Sequence, residues 1–355
     1  MHLTVICGIK SNRYSLGELC EILLGAHGYK LCNLVLIFHT TITAISYYIM
    51  LGDTLPMLFH HYIPQITWLS NRQLVVTAFG LLICLPLSSS RSPSKLANWS
   101  TVSVLIIPLM IIGVMIRLPV YLPPFNQLEL EIEPFSMNTI KGVAIMALSF
   151  GCSQNVFGIY LSTENQKTSS WLLISSLSTS ISYLLNFLFA TMGYICFGKH
   201  VQANVLLNFP EDDTAINVVR LALGLFMSLT IPLTSYPCRD SLETLLEKNT
   251  NGRIASDKEH RIITFLLFIP TLYFGATLTS LGSVVDIIGG FSTMILGFFL
   301  PGIVFIRLFI RSNDEEGKPL LENKLIHLDW SHFIIACGLV IVSIPIIYVT
   351  IIDHL

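Results

Sequence analysis

Apolar blocks of about 20 residues recur along this chain, and an α-helix of that length crosses roughly 30 Å of hydrocarbon. Lipid offers no hydrogen bonds, so each block must satisfy its own backbone as a helix. The sequence therefore predicts an all-α polytopic membrane protein that is embedded in the lipid bilayer. Residues 1–355 are predicted to form a single transmembrane domain. The nine predicted spans lie near residues 31–51, 73–89, 99–118, 139–159, 171–197, 217–236, 262–282, 285–308 and 333–352.

Composition excludes several other classes of protein. Charged residues make up 12% of the chain, whereas a soluble domain carries roughly 25%, so too little polar surface is left to face water. Eight cysteines occur without a Cys-x-x-Cys pair, which predicts buried thiols and neither a disulfide framework nor a metal site. No basic run indicates a nucleic-acid partner. We expect no cofactor beyond a coupling ion.

The positions of lysine and arginine predict the orientation of the chain. With residues 1–30 as a cytosolic N-terminal segment, fifteen of these residues fall on the cytosolic side and five on the opposite side. The bias alternates through every loop, which is the pattern of cytosolic positive charge seen in membrane proteins. The sequence therefore predicts a cytosolic N-terminus, nine spans and a C-terminus outside.

The fourth predicted span carries a polar, flexible stretch that predicts a broken helix. Five residues of this stretch are candidates for substrate binding: Gly151, Cys152, Ser153, Gln154 and Asn155. Glycine weakens a helix, and the Ser153 and Asn155 side chains compete with the backbone for hydrogen bonds. An unwound turn here would present bare N–H and C=O groups to a zwitterion. The alternative is that these polar groups only join neighbouring helices.

The sixth span brings hydroxyl groups and a proline to a similar depth. Pro232 lacks an N–H and therefore frees the carbonyl of Ser228, with Thr230 close by. Carbonyl and hydroxyl oxygens are the ligands that a small cation such as sodium prefers, so Thr230 and Ser228 are the candidate sodium ligands. The alternative is an ordinary proline kink satisfied by its own hydroxyls. If both interruptions are functional, they border one cavity.

The lack of charged residues at the span centres and of any catalytic grouping indicates which activity to expect. No Asp, Glu, Lys or Arg lies at the centre of a predicted span, which suits a neutral or zwitterionic solute. We find no paired carboxylates, histidine cluster or nucleophile elbow, so the sequence indicates a transporter and not an enzyme.

Several motifs together resemble a known transporter family. They are Gly52-Asp53-Thr54-Leu-Pro56, Ser149-Phe-Gly-Cys-Ser-Gln-Asn155, Gly193-Tyr194-x-x-Phe197-Gly198, Asn204-x-Leu-Leu-Asn208, Ile231-Pro232…Pro237-x-Arg239 and Asp286-x-x-Gly289-Gly290. Their order and spacing resemble the amino acid/auxin permease family, in its sodium-coupled neutral amino acid and vacuolar amino acid transporter branches. The resemblance implies a leucine-transporter-like inverted-repeat helix bundle and secondary transport of neutral L-amino acids. It matches Gly151–Asn155 to the family's broken sixth helix, and Thr230, with Ser228 beside it, to its sodium site.

The resemblance also implies two departures from the family. The family's first two helices have no counterpart before Tyr14, apart from the tail of the second in residues 1–9. The family often has histidine where this chain has Ser153-Gln154, which leaves sodium and proton coupling both open. The alternative function is a truncated membrane protein that does not transport and acts only through helix–helix association. The plasma membrane and the vacuolar or lysosomal membrane are both compatible with these features.

The predicted orientation is testable with epitope tags. A tag within residues 240–258 and a tag within residues 122–134 are expected on opposite faces of the membrane, because lysine and arginine alternate across every loop. Antibody access to intact and permeabilised cells measures this. Asn98 lies in a predicted cytosolic loop and should carry no glycan. Both tags reacting on the same face, or a mobility shift on glycosidase treatment, would contradict the topology.

Overall fold

The computed structural model describes residues 1–90, 93–123, 135–250, 253, 256–314 and 330–354, and helix dominates them. Across these ranges no β-strand occurs. The α-helices are α1 (His2–Ser11), α2 (Leu16–Tyr62), α3 (Arg72–Phe79), α4 (Leu85–Ser88), α5 (Pro93–Tyr121), α6 (Met137–Ser149), α7 (Val156–Ser162), α8 (Thr168–Phe197), α9 (Thr214–Asn249), α10 (Asp257–Thr277), α11 (Leu281–Ile287), α12 (Leu300–Asp314) and α13 (Trp330–His354). Two π-helical segments, Gly80–Cys84 and Ile288–Phe299, continue α3 and α11.

Eight helical stretches in the described part of the chain are long and apolar enough to cross a membrane. They coincide with eight of the nine predicted spans. The ninth, predicted near 73–89, is the shorter apolar stretch Arg72–Ser88, in which α3, the π-helical turn and α4 follow one another. The prediction of an all-α polytopic membrane protein is therefore confirmed.

The N-terminal 30 residues contain more helix than the hydropathy pattern alone indicates. They hold α1 and the beginning of α2, so the helix of the first span begins well before residue 31. Asn12 ends α1 in the left-handed conformation, and its N–H donates to the carbonyls of Gly8 and Ile9. Gly25 bends α2 with φ 60° and ψ −148°, a backbone conformation that is almost confined to glycine. The cytosolic location of this segment stays a prediction.

The contacts group the chain into two compact units, each made of separate stretches. The first unit comprises Met1–His39, Phe135–Tyr183 and Asp286–Leu355, and the second comprises Thr40–Pro134 and Leu184–Val285. Because each unit is discontinuous in sequence, no change of composition marks a boundary between them.

The core of the first unit forms around the long π-helical segment and the two helices that follow it. Leu19, Leu296 and Phe305 are fully buried there, and Phe157 of α7 packs into the same cluster. Close helix contact is enforced at Gly289. A Cβ at that position would collide with the backbone of Ala144 in α6, so only glycine allows the two helices to approach so closely.

In the second unit, α5 lies along α9, and the second half of α2 packs with α3, α9 and α10 in one apolar cluster. Asp213 begins α9 by accepting hydrogen bonds from the N–H groups of Ala215 and Ile216. Its other oxygen accepts from Arg117 Nε at 2.7 Å and from the Tyr121 hydroxyl at 2.6 Å. Burial alone would raise the pKa of the Asp213 carboxyl, but these donors outweigh burial and hold the pKa below its usual value. The carboxylate thus joins the ends of α5 and α9.

A fully buried arginine fixes the loop that precedes α9. The Arg220 guanidinium donates to the carbonyls of Leu206, Phe209 and Pro210 at 2.7–3.1 Å and to Asn217 Oδ1 at 2.7 Å. The planar guanidinium supplies several donors in a fixed geometry, which a lysine could not. One side chain of the helix therefore satisfies three carbonyls of an irregular loop.

Replacing Arg220 should destabilise the protein strongly. Arg220→Ala leaves two buried carbonyls, those of Leu206 and Phe209, without a donor, at about 1–3 kcal/mol each, so we expect a clear fall in the melting temperature of the purified protein in detergent. The charge-matched control is Lys258→Ala, whose side chain is exposed and whose loss should cost less than about 0.5 kcal/mol. Equal shifts for the two variants would contradict the role of Arg220 in holding the loop.

Candidate functional site

The fourth predicted span is broken in the structure where the sequence predicts it. Helix α6 ends at Ser149, and α7 begins at Val156. Phe150 (φ −104°, ψ 0°) and Cys152 (φ −130°, ψ 28°) both leave the helical conformation. A short 3-10 turn, Ser153–Asn155, links them to α7. The chain therefore has an irregular segment in the middle of a stretch that is otherwise apolar and helical.

This broken segment packs against the π-helical segment Ile288–Phe299 within the first unit. A Cβ at Gly151 would lie 2.9 Å from Thr293 Cγ2, so the backbone of Gly151 sits directly against that side chain. On the next turn of the π-helical segment, a Cβ at Gly297 would lie 3.7 Å from Ser153 Oγ. Small residues on both sides therefore allow the unwound backbone to approach the neighbouring helix closely.

Unsatisfied polar atoms lie in this same region. Gln154 Oε1 and Thr293 Oγ1 are both buried without a hydrogen-bond partner. Thr293 is completely buried, and Ser153 is 7% exposed. A buried polar atom without a partner costs free energy, so such atoms point to a ligand or an ordered water. This is the observation that makes the break a candidate binding site.

The five predicted substrate-binding residues occupy different environments. Gly151 and Ser153 face the π-helical segment, and the Gln154 side chain is half-buried. Cys152 turns away, with its thiol 3.3 Å from Met1 Sδ in the packing between α1 and α7. The Asn155 side chain is exposed, while its N–H donates to the Cys152 carbonyl at 3.0 Å. The backbone of this segment and Ser153 are thus its best-placed polar groups.

A histidine and a serine that the sequence analysis did not single out contact each other elsewhere in the first unit. His39 Nδ1 is 2.9 Å from Ser292 Oγ, and the Ser292 hydroxyl donates to the Ile288 carbonyl at 2.9 Å. Because that hydroxyl proton is used, Nδ1 is the donor of the His39–Ser292 bond. The signal in the sequence is a histidine inside an apolar span, where a buried polar side chain needs a partner.

Ser228 and Thr230 lie in the second unit, inside the continuous helix α9. Their hydroxyls donate to the carbonyls four residues earlier, Gly224 at 2.8 Å and Phe226 at 2.7 Å. The Ser228 carbonyl, which Pro232 cannot pair, accepts a hydrogen bond from the Cys84 thiol at 3.4 Å. A thiol is a weak donor, so this carbonyl and the two hydroxyl oxygens keep lone pairs that a cation could use.

A small cavity, lined by hydroxyl-bearing and apolar residues, also lies in the second unit. Its volume of about 20 Å³ is enough for one water-sized molecule and far too small for an amino acid. Arg239 lines this cavity and donates to the carbonyls of Ser88 and Ser90 and to Thr264 Oγ1. Thr230 does not line it. Because Gly151–Asn155 and Thr230 belong to different units, their common cavity stays a prediction.

Comparison with known proteins identifies the family. Residues 2–350 match the family model described as transmembrane amino acid transporter protein. A Danio rerio protein provisionally named sodium-coupled neutral amino acid transporter 11 is 27% identical over 347 residues, which cover 96% of this chain and 75% of that protein. Its Bos taurus counterpart is 28% identical, covering 80% of this chain and 61% of its own length. Vacuolar amino acid transporter 2 of Saccharomyces cerevisiae is 27% identical, covering 78% of this chain and 60% of its own length.

Two of these three relatives are therefore matched over less than two thirds of their length. The family model, in contrast, matches nearly all of this chain. Both the order of the spans and the broken fourth span lie inside the matched residues. The chain belongs to the transmembrane amino acid transporter protein family.

Proposed function

We propose that this protein is a secondary active transporter of neutral L-amino acids and that the broken segment Gly151–Asn155 takes part in binding the substrate. The observation that carries the proposal is the helix break inside an apolar span of a chain from this family. Non-helical backbone within a membrane is tolerated only where protein or a wet cavity covers it. A break at this depth is typical of transporter binding sites.

The chemistry of the segment suits a zwitterion. The last carbonyls of α6 have no partners within the helix, and the partial negative charge of a helix C-terminus favours an ammonium group. The Ser153 hydroxyl and the backbone N–H groups of the turn are donors that suit a carboxylate. Residues 149–155 contain no charged side chain, so nothing in the segment itself compensates a substrate with a net charge. We therefore propose amino acids with uncharged side chains as the substrate class.

We propose that a sodium gradient or a proton gradient drives transport. Thr230 and Ser228 offer two hydroxyl oxygens and one carbonyl that only a thiol engages, which supports a sodium site on α9. The names of two relatives include sodium coupling, and that of a third includes the vacuole. The membrane is accordingly proposed to be the plasma membrane or a vacuolar or lysosomal membrane.

Transport by the purified chain in liposomes tests the function. We expect saturable uptake of a radiolabelled neutral amino acid such as glutamine or alanine, dependent on an imposed sodium or pH gradient. Varying the two gradients separately identifies the coupling ion. Folded, reconstituted protein that takes up none of the neutral amino acids under either gradient would favour the alternative in which the chain acts only through helix–helix association.

A pair of glycine variants tests the role of the break. Gly151→Ala places a methyl group 2.9 Å from Thr293 Cγ2, so the segment must shift, and we expect at least a tenfold loss of substrate affinity or uptake. Gly158 in α7 is the matched control, because a Cβ there meets no atom within 4 Å. Gly158→Ala should transport like the parent protein. Equal uptake by the two variants at equal expression would remove the broken segment from the site.

A pair of threonine variants tests the cation site. Thr230→Ala removes a candidate sodium ligand, so the apparent sodium affinity should fall several-fold while surface expression is maintained. Thr244→Ala is the control on the same helix, because its hydroxyl makes the same bond to the carbonyl four residues earlier, that of Asp240 at 2.6 Å. Sodium titration of uptake measures both. An unchanged sodium dependence in Thr230→Ala would show that the Thr230 hydroxyl only satisfies the backbone near the proline kink.

A further inference from the structure

Three metal-ligand side chains converge in the first unit, away from the broken segment. Asp286 lies in α11, and Asp353 and His354 form the end of α13. Their ligand atoms, one from each side chain, all lie within 4.8 Å of one another. None of these residues has a role in the proposed transport site. Acidic groups often gather at the ends of helices, so the grouping needs further support before it indicates a ligand.

The support comes from Asp286. This residue is only 7% exposed, and its Oδ1 has no hydrogen-bond partner. Its Oδ2 is 3.9 Å from His354 Nε2, which is too far for a hydrogen bond. A buried carboxyl group stays ionised only when a cation or several donors compensate its charge, and otherwise takes up a proton. Asp286 therefore has one oxygen, Oδ1, without a hydrogen-bond partner, and its other oxygen, Oδ2, faces the His354 ring without a hydrogen bond.

The orientation of the His354 ring is also suited to binding a cation. Its Nδ1 donates to the Thr350 carbonyl at 3.0 Å, so a neutral ring carries its proton on Nδ1 and presents the lone pair of Nε2 to Asp286. With a neutral ring, His354 Nε2 and Asp286 Oδ2 are both acceptors, and they lie 3.9 Å apart. A histidine whose second nitrogen donates to a backbone carbonyl is the usual arrangement of a metal ligand in proteins.

The positive charge closest to this cluster in the structure is Lys141 of α6, whose Nζ lies 2.6 Å from Asp353 Oδ2. With His354 neutral, the two carboxylates and one lysine leave a net charge of −1. Lys141 engages one oxygen of Asp353 and does not contact Asp286 within ion-pair distance. The lysine therefore compensates the cluster only in part, and it competes with any metal ion for Asp353.

We propose that Asp286, Asp353 and His354 bind a divalent transition-metal ion of the zinc class, with Nε2 of the histidine and one oxygen of each carboxylate as ligands. A nitrogen ligand with two carboxylates suits zinc, whereas magnesium and calcium prefer oxygen ligands alone. Tetrahedral ligands at about 2.1 Å from the metal lie roughly 3.4 Å apart, so separations of up to 4.8 Å must shorten by as much as about 1.4 Å. Asp353 is 41% exposed and His354 25% exposed at a helix end, so both side chains have room to shift once Asp353 exchanges its contact with Lys141 for the metal.

Such an ion would join the end of α11 to the end of α13. Asp286 lies just before the π-helical segment Ile288–Phe299, and the broken segment packs against that π-helical segment. A bound metal would therefore stabilise the helix on which the broken segment rests. By the predicted orientation of the chain, the end of α13 faces away from the cytosol. The ion would therefore reach the site from the exterior or from an organelle lumen.

Zinc titration of the purified full-length chain in detergent, against a chromophoric chelator, tests the proposal. We expect one zinc ion per chain and at least a tenfold loss of affinity in His354→Ala and in Asp286→Asn. Lys141→Gln should bind zinc more tightly, because it removes the competing cation from Asp353. Millimolar calcium should not displace the zinc.

Separate control experiments test whether the variants fold and whether zinc binding is specific. The melting temperature and size-exclusion profile of each variant without zinc show whether it is folded, and His354→Ala at the exposed helix end keeps the test valid if the buried Asp286→Asn variant fails to fold. His61→Ala removes an exposed histidine of the second unit and should bind zinc like the parent protein. Unchanged affinity in His354→Ala, weaker binding in Lys141→Gln or displacement by calcium would each overturn the proposal.

Discussion

Every backbone N–H and C=O group inside a bilayer needs a partner within the protein, and this requirement governs where the chain can leave the helical conformation. Two interruptions within the described spans lie beside neighbouring groups that cover the exposed backbone. The break at Phe150–Cys152 lies against a π-helical segment made of small and hydroxyl-bearing residues. At Ser228, the carbonyl that Pro232 leaves unpaired accepts a thiol hydrogen bond from Cys84. Each interruption is therefore tolerated because of a specific neighbour.

Buried charge follows the same rule at the ends of the spans. Arg220 is completely buried and donates only to carbonyls and an amide oxygen, so it serves as a scaffold for irregular backbone. Asp213 accepts hydrogen bonds from two N–H groups, Arg117 and Tyr121, and its charge is compensated completely. Asp286 contrasts with Asp213, because one oxygen of Asp286 has no partner. That difference separates groups that stabilise the fold from a group that is still able to bind a ligand.

Much of the architecture follows from hydropathy and local chemistry. Eight of the nine predicted spans coincide with helices long enough to cross a membrane, and the weakest, near 73–89, is the short stretch Arg72–Ser88. The helix break at Gly151 was also predictable, because glycine and hydroxyl or amide side chains cluster within five positions. The extent of α2 was not predictable from hydropathy, because Glu18, Glu21 and Lys30 lower the mean hydropathy of its first part, in which Leu16, Leu19 and Cys20 are buried.

The sequence by itself determined that the chain is a polytopic helical membrane protein and where one helix is interrupted, because apolar length and helix propensity act over neighbouring residues. It did not determine which distant side chains meet. Only the tertiary structure brought Gly151 against Thr293, placed His39 beside Ser292 and gathered Asp286 with the end of α13. These contacts join residues far apart in the chain, and their energies depend on packing and burial that no local pattern of residues encodes.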